Sequence, residues 1–91
     1  MPSVDFEVVP SDGIQGYWIA VGNDDVPLVG GKGSIDLPAG QKSTLVWWFV
    51  GDEGESIAIT GTQGQQTVVE VKESQIPQGE TEGAGSKKFD L

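Results

Sequence analysis

Three carboxylates that could act on a substrate, Asp52, Glu53 and Glu55, lie within one glycine-flanked segment of the sequence. A pair of carboxylates can hydrolyse a glycosidic bond when the two face each other across a cleft and burial keeps one of them protonated. Here the flanking glycines predict an exposed turn, in which all three side chains would be hydrated. A carboxylate-dependent hydrolase is therefore kept only as the second alternative function.

Histidine, cysteine and arginine are absent from the 91 residues. Without histidine or cysteine, the usual pairs of nucleophile and base cannot be assembled, and neither can imidazole or thiolate metal centres. We therefore expect a protein that is not an enzyme, that needs no cofactor for chemistry, and that acts by binding.

Calcium is the metal that the remaining side chains suit best, because it binds carboxylate and carbonyl oxygens at the ends of loops. Neither of the two acidic clusters in the sequence follows the spacing of an EF-hand loop. Asn and Asp are also frequent in turns, because their side chains bond to the nearby backbone. The candidate calcium ligands are Asn23, Asp24 and Asp25 in one cluster, and Asp52, Glu53 and Glu55 in the other.

Two pairs of adjacent aromatic residues, Tyr17-Trp18 and Trp47-Trp48, point to a contact surface. Neighbouring residues of a strand face opposite ways, so the two members of a pair cannot share one face. If Trp47 fills the core, then Trp48 points outward. Trp18 lies beside Trp48 if the two strands pair in register.

The predicted contact surface consists of Trp18, Val46, Trp48 and Val50. An exposed tryptophan patch can anchor a protein partner or a second copy of the chain, and it can also stack against a sugar ring. We therefore expect a non-catalytic binding or assembly module, with a carbohydrate-binding module, assisted by calcium, as the first alternative. The competing interpretation is that a second layer or another copy covers both faces of the tryptophan strand.

The tryptophan strand, residues 44–50, contains no charge, glycine or proline and is rich in β-branched and aromatic residues, which favours a strand. Short alternating runs recur along the chain, with turn residues at intervals of roughly 8–12 positions. Seven or eight short strands are predicted, forming an all-β, small antiparallel β-sandwich of the immunoglobulin-like type. Residues 1–91 make a single domain, in which the Gly- and Glu-rich segment 80–85 is predicted to be a mobile loop, and residues 22–25 and 61–66 are predicted turns.

The segment 35–41, Ile-Asp-Leu-Pro-Ala-Gly-Gln, leads into the tryptophan strand and resembles a corner of bacterial immunoglobulin-like and fibronectin-type modules. The resemblance implies a non-catalytic module used in adhesion, spacing or recognition. The cysteine pair of antibody domains is missing, so an antibody-type domain is not implied. Segment 76–80, Ile-Pro-Gln-Gly-Glu, repeats the apolar-Pro-x-Gly pattern and could mark an equivalent corner.

The chain carries 5 lysines against 14 acidic residues, a net charge of -9. Such a surface repels phosphate backbones and anionic lipids, so neither nucleic acid nor a membrane surface is an expected partner. The sequence shows no signal-peptide pattern and no run of roughly 18 apolar residues. This is compatible with an intracellular protein, a component of a viral particle or a mature secreted domain.

Overall fold

The computed structural model describes residues 3–91, which form eight strands and no helix. The all-β prediction is therefore confirmed. The strands are β1 (Ser3–Pro10), β2 (Ile14–Val21), β3 (Asp24–Asp25), β4 (Lys32–Asp36), β5 (Lys42–Gly51), β6 (Ser56–Gln63), β7 (Gln66–Gln75) and β8 (Glu82–Asp90).

The eight strands form two four-stranded antiparallel sheets that enclose the core between them. Sheet 1 has the order β4-β1-β6-β7, and sheet 2 has the order β3-β2-β5-β8. The predicted small β-sandwich is confirmed. In a constant-type immunoglobulin domain the first two strands are neighbours in one sheet, whereas here β1 and β2 belong to different sheets.

The first half of the chain (β1–β4) and the second half (β5–β8) have the same topology, with the roles of the two sheets exchanged. In the first half, β1 and β4 pair in sheet 1 while the β2–β3 hairpin lies in sheet 2. In the second half, β5 and β8 pair in sheet 2 while the β6–β7 hairpin lies in sheet 1. The pairs β1–β6 and β2–β5 join the halves at the centre of each sheet, so neither half contains a complete sheet.

The inward side chains of both sheets form one hydrophobic core. Along β1 and β5 the buried positions alternate with exposed ones, as a half-buried strand requires. Phe6 of β1 and Phe89 of β8 meet edge to face, with their ring centroids 6.4 Å apart. The buried apolar residues are Val4, Phe6, Val8, Ile19, Val21, Val26, Leu37, Leu45, Trp47, Phe49, Ile57, Ile59, Val69, Val71, Ile76 and Phe89.

The two apolar-Pro-x-Gly segments play the same part in the fold. Leu37 and Ile76 are both buried, and after each of them the chain passes from sheet 1 to sheet 2, from β4 to β5 and from β7 to β8. The glycines that close these corners, Gly40 and Gly79, have φ values of 75° and 83°. Residues with a side chain rarely adopt this conformation, which explains the glycine in both corners.

The glycine-rich segment predicted to be a mobile loop is mostly part of a strand, since β8 begins at residue 82. Gly83 lies opposite Phe49 and Gly85 lies opposite Trp47 in the β5–β8 pair. A Cβ atom at these glycines would come within 2.6 Å of the Phe49 ring and 2.4 Å of the Trp47 ring. The glycines therefore make room for two core aromatic rings, and the loop prediction for residues 82–85 is wrong.

Two predicted turns are shorter than expected. Asp24 and Asp25 form the strand β3, paired with Val21 and Ala20, although residues 22–25 were expected to turn. Strands β6 and β7 extend through most of the predicted turn at residues 61–66. In both places backbone pairing continues through polar residues, which have no hydrophobic alternation to mark a strand.

Candidate functional site

The outer faces of the two sheets differ in composition. The outer face of sheet 1 carries polar side chains such as Asp5, Glu7, Lys32 and Thr60, as a sheet surface in contact with water normally does. Lys32 Nζ lies 3.7 Å from Glu7 Oε2 on this face. The outer face of sheet 2 instead carries large apolar side chains at its centre, and these form the candidate site.

Trp18 of β2 and Trp48 of β5 lie directly opposite each other on the outer face of sheet 2. Their indoles stack, with ring centroids 4.5 Å apart and ring planes inclined by 24°. Even so, 51% of Trp18 and 44% of Trp48 remain exposed. The predicted outward orientation of Trp48 and its register with Trp18 are confirmed, while a contact made by this surface stays a prediction.

The alternation of β5 sets this orientation. Leu45, Trp47 and Phe49 are buried in the core, so the intervening side chains must point away from it. Trp47 is held further by its Nε1–H, which donates a 2.9 Å hydrogen bond to Ser74 Oγ on β7. This bond joins sheet 2 to sheet 1, and it gives the buried indole N–H the partner it needs.

The stacked pair is the centre of a larger apolar surface. Val46 is 41% exposed and Val50 is half-buried. Small residues lie across the strands from the large ones, with Ala20 opposite Val46 and Ala84 opposite Trp48. We call the surface formed by Trp18, Ala20, Val46, Trp48, Val50 and Ala84 the indole patch.

The structure thus brings together all four residues of the predicted contact surface and adds Ala20 and Ala84. Ala84 could not be found in the sequence, because only the pairing of β5 and β8 places it beside Trp48. Ala20 follows Trp18 by two positions, so strand alternation already places it on the same face. A hollow of about 110 Å³ in the patch is lined by Trp18, Ala20, Asp25, Val46 and Trp48 together with inward neighbours. Trp18 and Asp25 also border a hollow of about 410 Å³ whose other lining residues include Pro27 and Leu28.

Each indole of the stack covers one face of the other. A sugar ring packs against a free aromatic face, whereas a protein partner also contacts ring edges and the neighbouring aliphatic side chains. Because the two indoles stack, each can contact a partner only through its other face and its edge. The patch is therefore suited to a broad apolar contact rather than to a small ligand held between two rings.

The predicted carboxylate cluster does not converge on one point. Glu55 Oε1 accepts 2.8 Å hydrogen bonds from Ser11 Oγ and from the Gly13 backbone N–H. Glu53 Oε2 instead accepts a 2.6 Å hydrogen bond from the backbone N–H of Gly79. These carboxylates fasten different turns to the β5–β6 loop, a structural role that the sequence did not reveal because the partners are distant in the chain.

The acidic clusters proposed as calcium ligands are also not assembled into a metal site. Within residues 3–91, no group of three or more Asp or Glu side chains is arranged to hold a metal ion. Asp24 and Asp25 are successive residues of strand β3, at the edge of sheet 2, far along the chain from the second cluster. Calcium-assisted binding thus gains no support from the geometry.

The anchoring of Glu55 makes stability depend on pH. The hydrogen bonds from the Gly13 N–H and, second, from the Ser11 hydroxyl favour the charged form and lower the pKa of Glu55. A lowered folded-state pKa contributes stability that is complete above the unfolded-state pKa and is lost as the pH falls through the folded-state pKa. We expect Glu55→Gln to destabilise the protein at neutral pH and to approach the wild type in strong acid.

Urea unfolding of both proteins between about pH 7 and pH 2 measures this effect. Glu73→Gln is the matched control, because it makes the same charge change at an exposed position on β7. A stability difference between Glu55→Gln and the wild type that stays constant over the whole pH range would contradict the expectation.

No family model, curated protein or solved structure matches the chain. A functional conclusion therefore has to come from the geometry of its own residues. Within residues 3–91, no helix has the length and apolar composition needed to cross a membrane.

Proposed function

We propose that the protein is a non-catalytic β-sandwich that binds or assembles through the indole patch. The observation that supports this is the exposure of Trp18 and Trp48 at the centre of an apolar sheet face, 51% and 44% respectively. Single apolar residues on a surface are ordinary, but a contiguous cluster built around two tryptophans is typical of an interaction site. Tryptophan is also among the residue types that contribute most to binding when a partner covers them.

The exposed area is large enough to matter energetically. A tryptophan buries about 150–250 Å² when fully covered, so half-exposure leaves roughly 100 Å² of each ring in water. At about 25 cal/mol per Å², covering both rings would contribute about 5 kcal/mol before the costs of association. The patch thus supports an interaction of moderate strength, with further gain from Val46 and Val50.

The outer face of sheet 1 is polar and the outer face of sheet 2 is apolar at its centre, which supports a role in binding for sheet 2. Sheet 1 presents Asp5, Glu7 and Lys32 to water on a face that would oppose an apolar contact. A role in adhesion, spacing or recognition, which the resemblance to immunoglobulin-like modules implies, needs such a surface and no reactive group. We therefore place protein contact ahead of catalysis by the separated carboxylates.

Carbohydrate binding uses the same tryptophans and is tested together with protein contact. A glycan array probed with and without chelator reports sugar binding and its dependence on calcium. Sedimentation velocity between about 10 μM and 1 mM reports self-association of low affinity. A monomer at every concentration that also binds no glycan would contradict the proposed function.

Trp48→Ala is expected to weaken whichever contact is detected by at least about tenfold, or roughly 1.4 kcal/mol. The same change should lower the free energy of unfolding by only about 1 kcal/mol, the value of one aromatic pair. Val46→Ala within the patch and Val9→Ala on the outer face of sheet 1 form a matched pair of controls, since both valines are exposed. If Val9→Ala weakens the contact as much as Val46→Ala, the indole patch is not the contact surface.

A further inference from the structure

We propose that the partner of the indole patch is a second copy of this chain, packed face to face with its strands reversed. The inference rests on the proposed function of the patch, and it adds the identity of the partner and the arrangement of the complex. The distribution of charge and the sizes of the patch residues support it.

The outer face of sheet 2 carries almost none of the net charge of the protein. Its strands place two lysines and three carboxylates on this face, a balance of -1, whereas the whole chain carries -9. A cationic partner would be drawn to the other surfaces, where the remaining negative charge lies. Two copies of an acidic chain meet with the least repulsion through the face that is close to neutral. The five residues are Asp25, Lys42, Glu82, Lys88 and Asp90.

The charges along β8 are arranged so that the face complements itself. Glu82 lies at one end of the strand and Lys88 lies near the other end, with Ala84 and Ser86 between them on the same face. We consider a two-fold axis that lies in the plane of contact and runs perpendicular to the strands. It places each strand of one copy over the same strand of the other copy, with the two running in opposite directions. Glu82 of each copy then lies over Lys88 of the other, so the favourable pair occurs twice.

The same rotation also matches large side chains to small ones. The midpoint between residues 82 and 88 on β8 lies level with the midpoint between Trp48 and Val46 on β5. When the two-fold axis passes through this level, Trp48 lies over Val46 of the second copy. On β2 the rotation carries Trp18 over Ala20 of the second copy, since these residues lie level with Trp48 and Val46. Each tryptophan pair thus meets smaller side chains, as close packing between two sheets requires.

A charge exchange tests the arrangement, with the dimer dissociation constant measured by sedimentation equilibrium for four proteins. These are the wild type, Glu82→Lys, Lys88→Glu and the double variant. Each single change replaces two favourable pairs with two like-charge pairs, and we expect it to weaken the dimer roughly tenfold. The double variant restores opposite charges and should return to within about threefold of the wild type.

If association depended on net charge alone, Glu82→Lys would strengthen the dimer instead of weakening it. Glu82→Lys makes the chain less acidic by two charges, which would strengthen any association limited by general repulsion. Glu70→Lys makes the same change in net charge on β7 of sheet 1 and is the matched control. A dimer weakened by Glu82→Lys but not by Glu70→Lys, and restored in the double variant, supports the proposal.

Three results would overturn it, and they separate this inference from the proposed function. If Trp48→Ala abolishes the dimer but the double variant stays weak, the patch is the contact face and the reversed arrangement is wrong. If the protein stays monomeric to about 1 mM but binds glycans through the patch, the second copy is wrong and the proposed function stands. If a dimer persists unchanged in Trp48→Ala, the patch is not the contact face and both proposals fail.

Discussion

Trp47→Ala is expected to lower the free energy of unfolding by about 3–5 kcal/mol, as truncations of large core side chains do. The indole is buried, lies against Gly85 and donates its N–H to Ser74 Oγ across the sandwich. Its removal leaves a cavity between the sheets and leaves this serine hydroxyl without its donor. For a domain of this size the loss corresponds to a fall in Tm of roughly 15–30 °C.

Trp48→Ala is the matched control, because it makes the same truncation one residue further along β5 on the exposed face. Trp47→Phe keeps one six-membered aromatic ring in the core, but it removes the N–H donor and leaves a smaller cavity than Trp47→Ala does. It should unfold between the wild type and Trp47→Ala in urea. Equal damage from Trp47→Ala and Trp48→Ala would refute the inside–outside assignment of the two tryptophans.

Gly85→Ala is expected to destabilise the protein by about 2 kcal/mol, although alanine is normally the better residue within a strand. The added methyl group would lie 2.4 Å from Trp47 Cζ2 and 2.7 Å from Cε2. The indole must move to accept it, and this movement strains the hydrogen bond to Ser74. The effect therefore comes from overpacking, in contrast to the cavity left by Trp47→Ala.

Ser86→Ala provides the comparison for this variant, because it changes the next residue of β8 on the exposed face. Thermal unfolding should place Ser86→Ala near the wild type and Gly85→Ala clearly below it. A Gly85→Ala protein as stable as the wild type would mean that β8 does not lie against the Trp47 ring, and the flexible-loop interpretation would regain support.

Most of the fold prediction was based on the alternation of apolar residues along the strands. In β5 it correctly separated Trp47 from Trp48, because the strand is long and its two faces meet different surroundings. It also placed Trp18 beside Trp48, on the condition that β2 and β5 pair in register, which they do. These predictions succeeded because the residue types within each strand indicate which of its faces is buried.

The failures concern residues whose surroundings come from elsewhere in the chain. Gly83 and Gly85 have no side chain to show a pattern, and only the aromatic rings opposite them explain why they belong to a strand. The anchoring role of Glu55 depends on Ser11 and Gly13, which are more than forty positions away. The order of the strands likewise follows from contacts between the two halves and not from any local signal.

The interleaving of the two halves has a consequence for how the protein is made. On the ribosome, β1 and β2 emerge first, yet their central partners β6 and β5 are synthesised later. The rings of Phe49 and Trp47 gain their cover only when β8 has also left the exit tunnel. Closure of the sandwich therefore waits for these later strands, and it depends on pairings between residues that are distant in sequence.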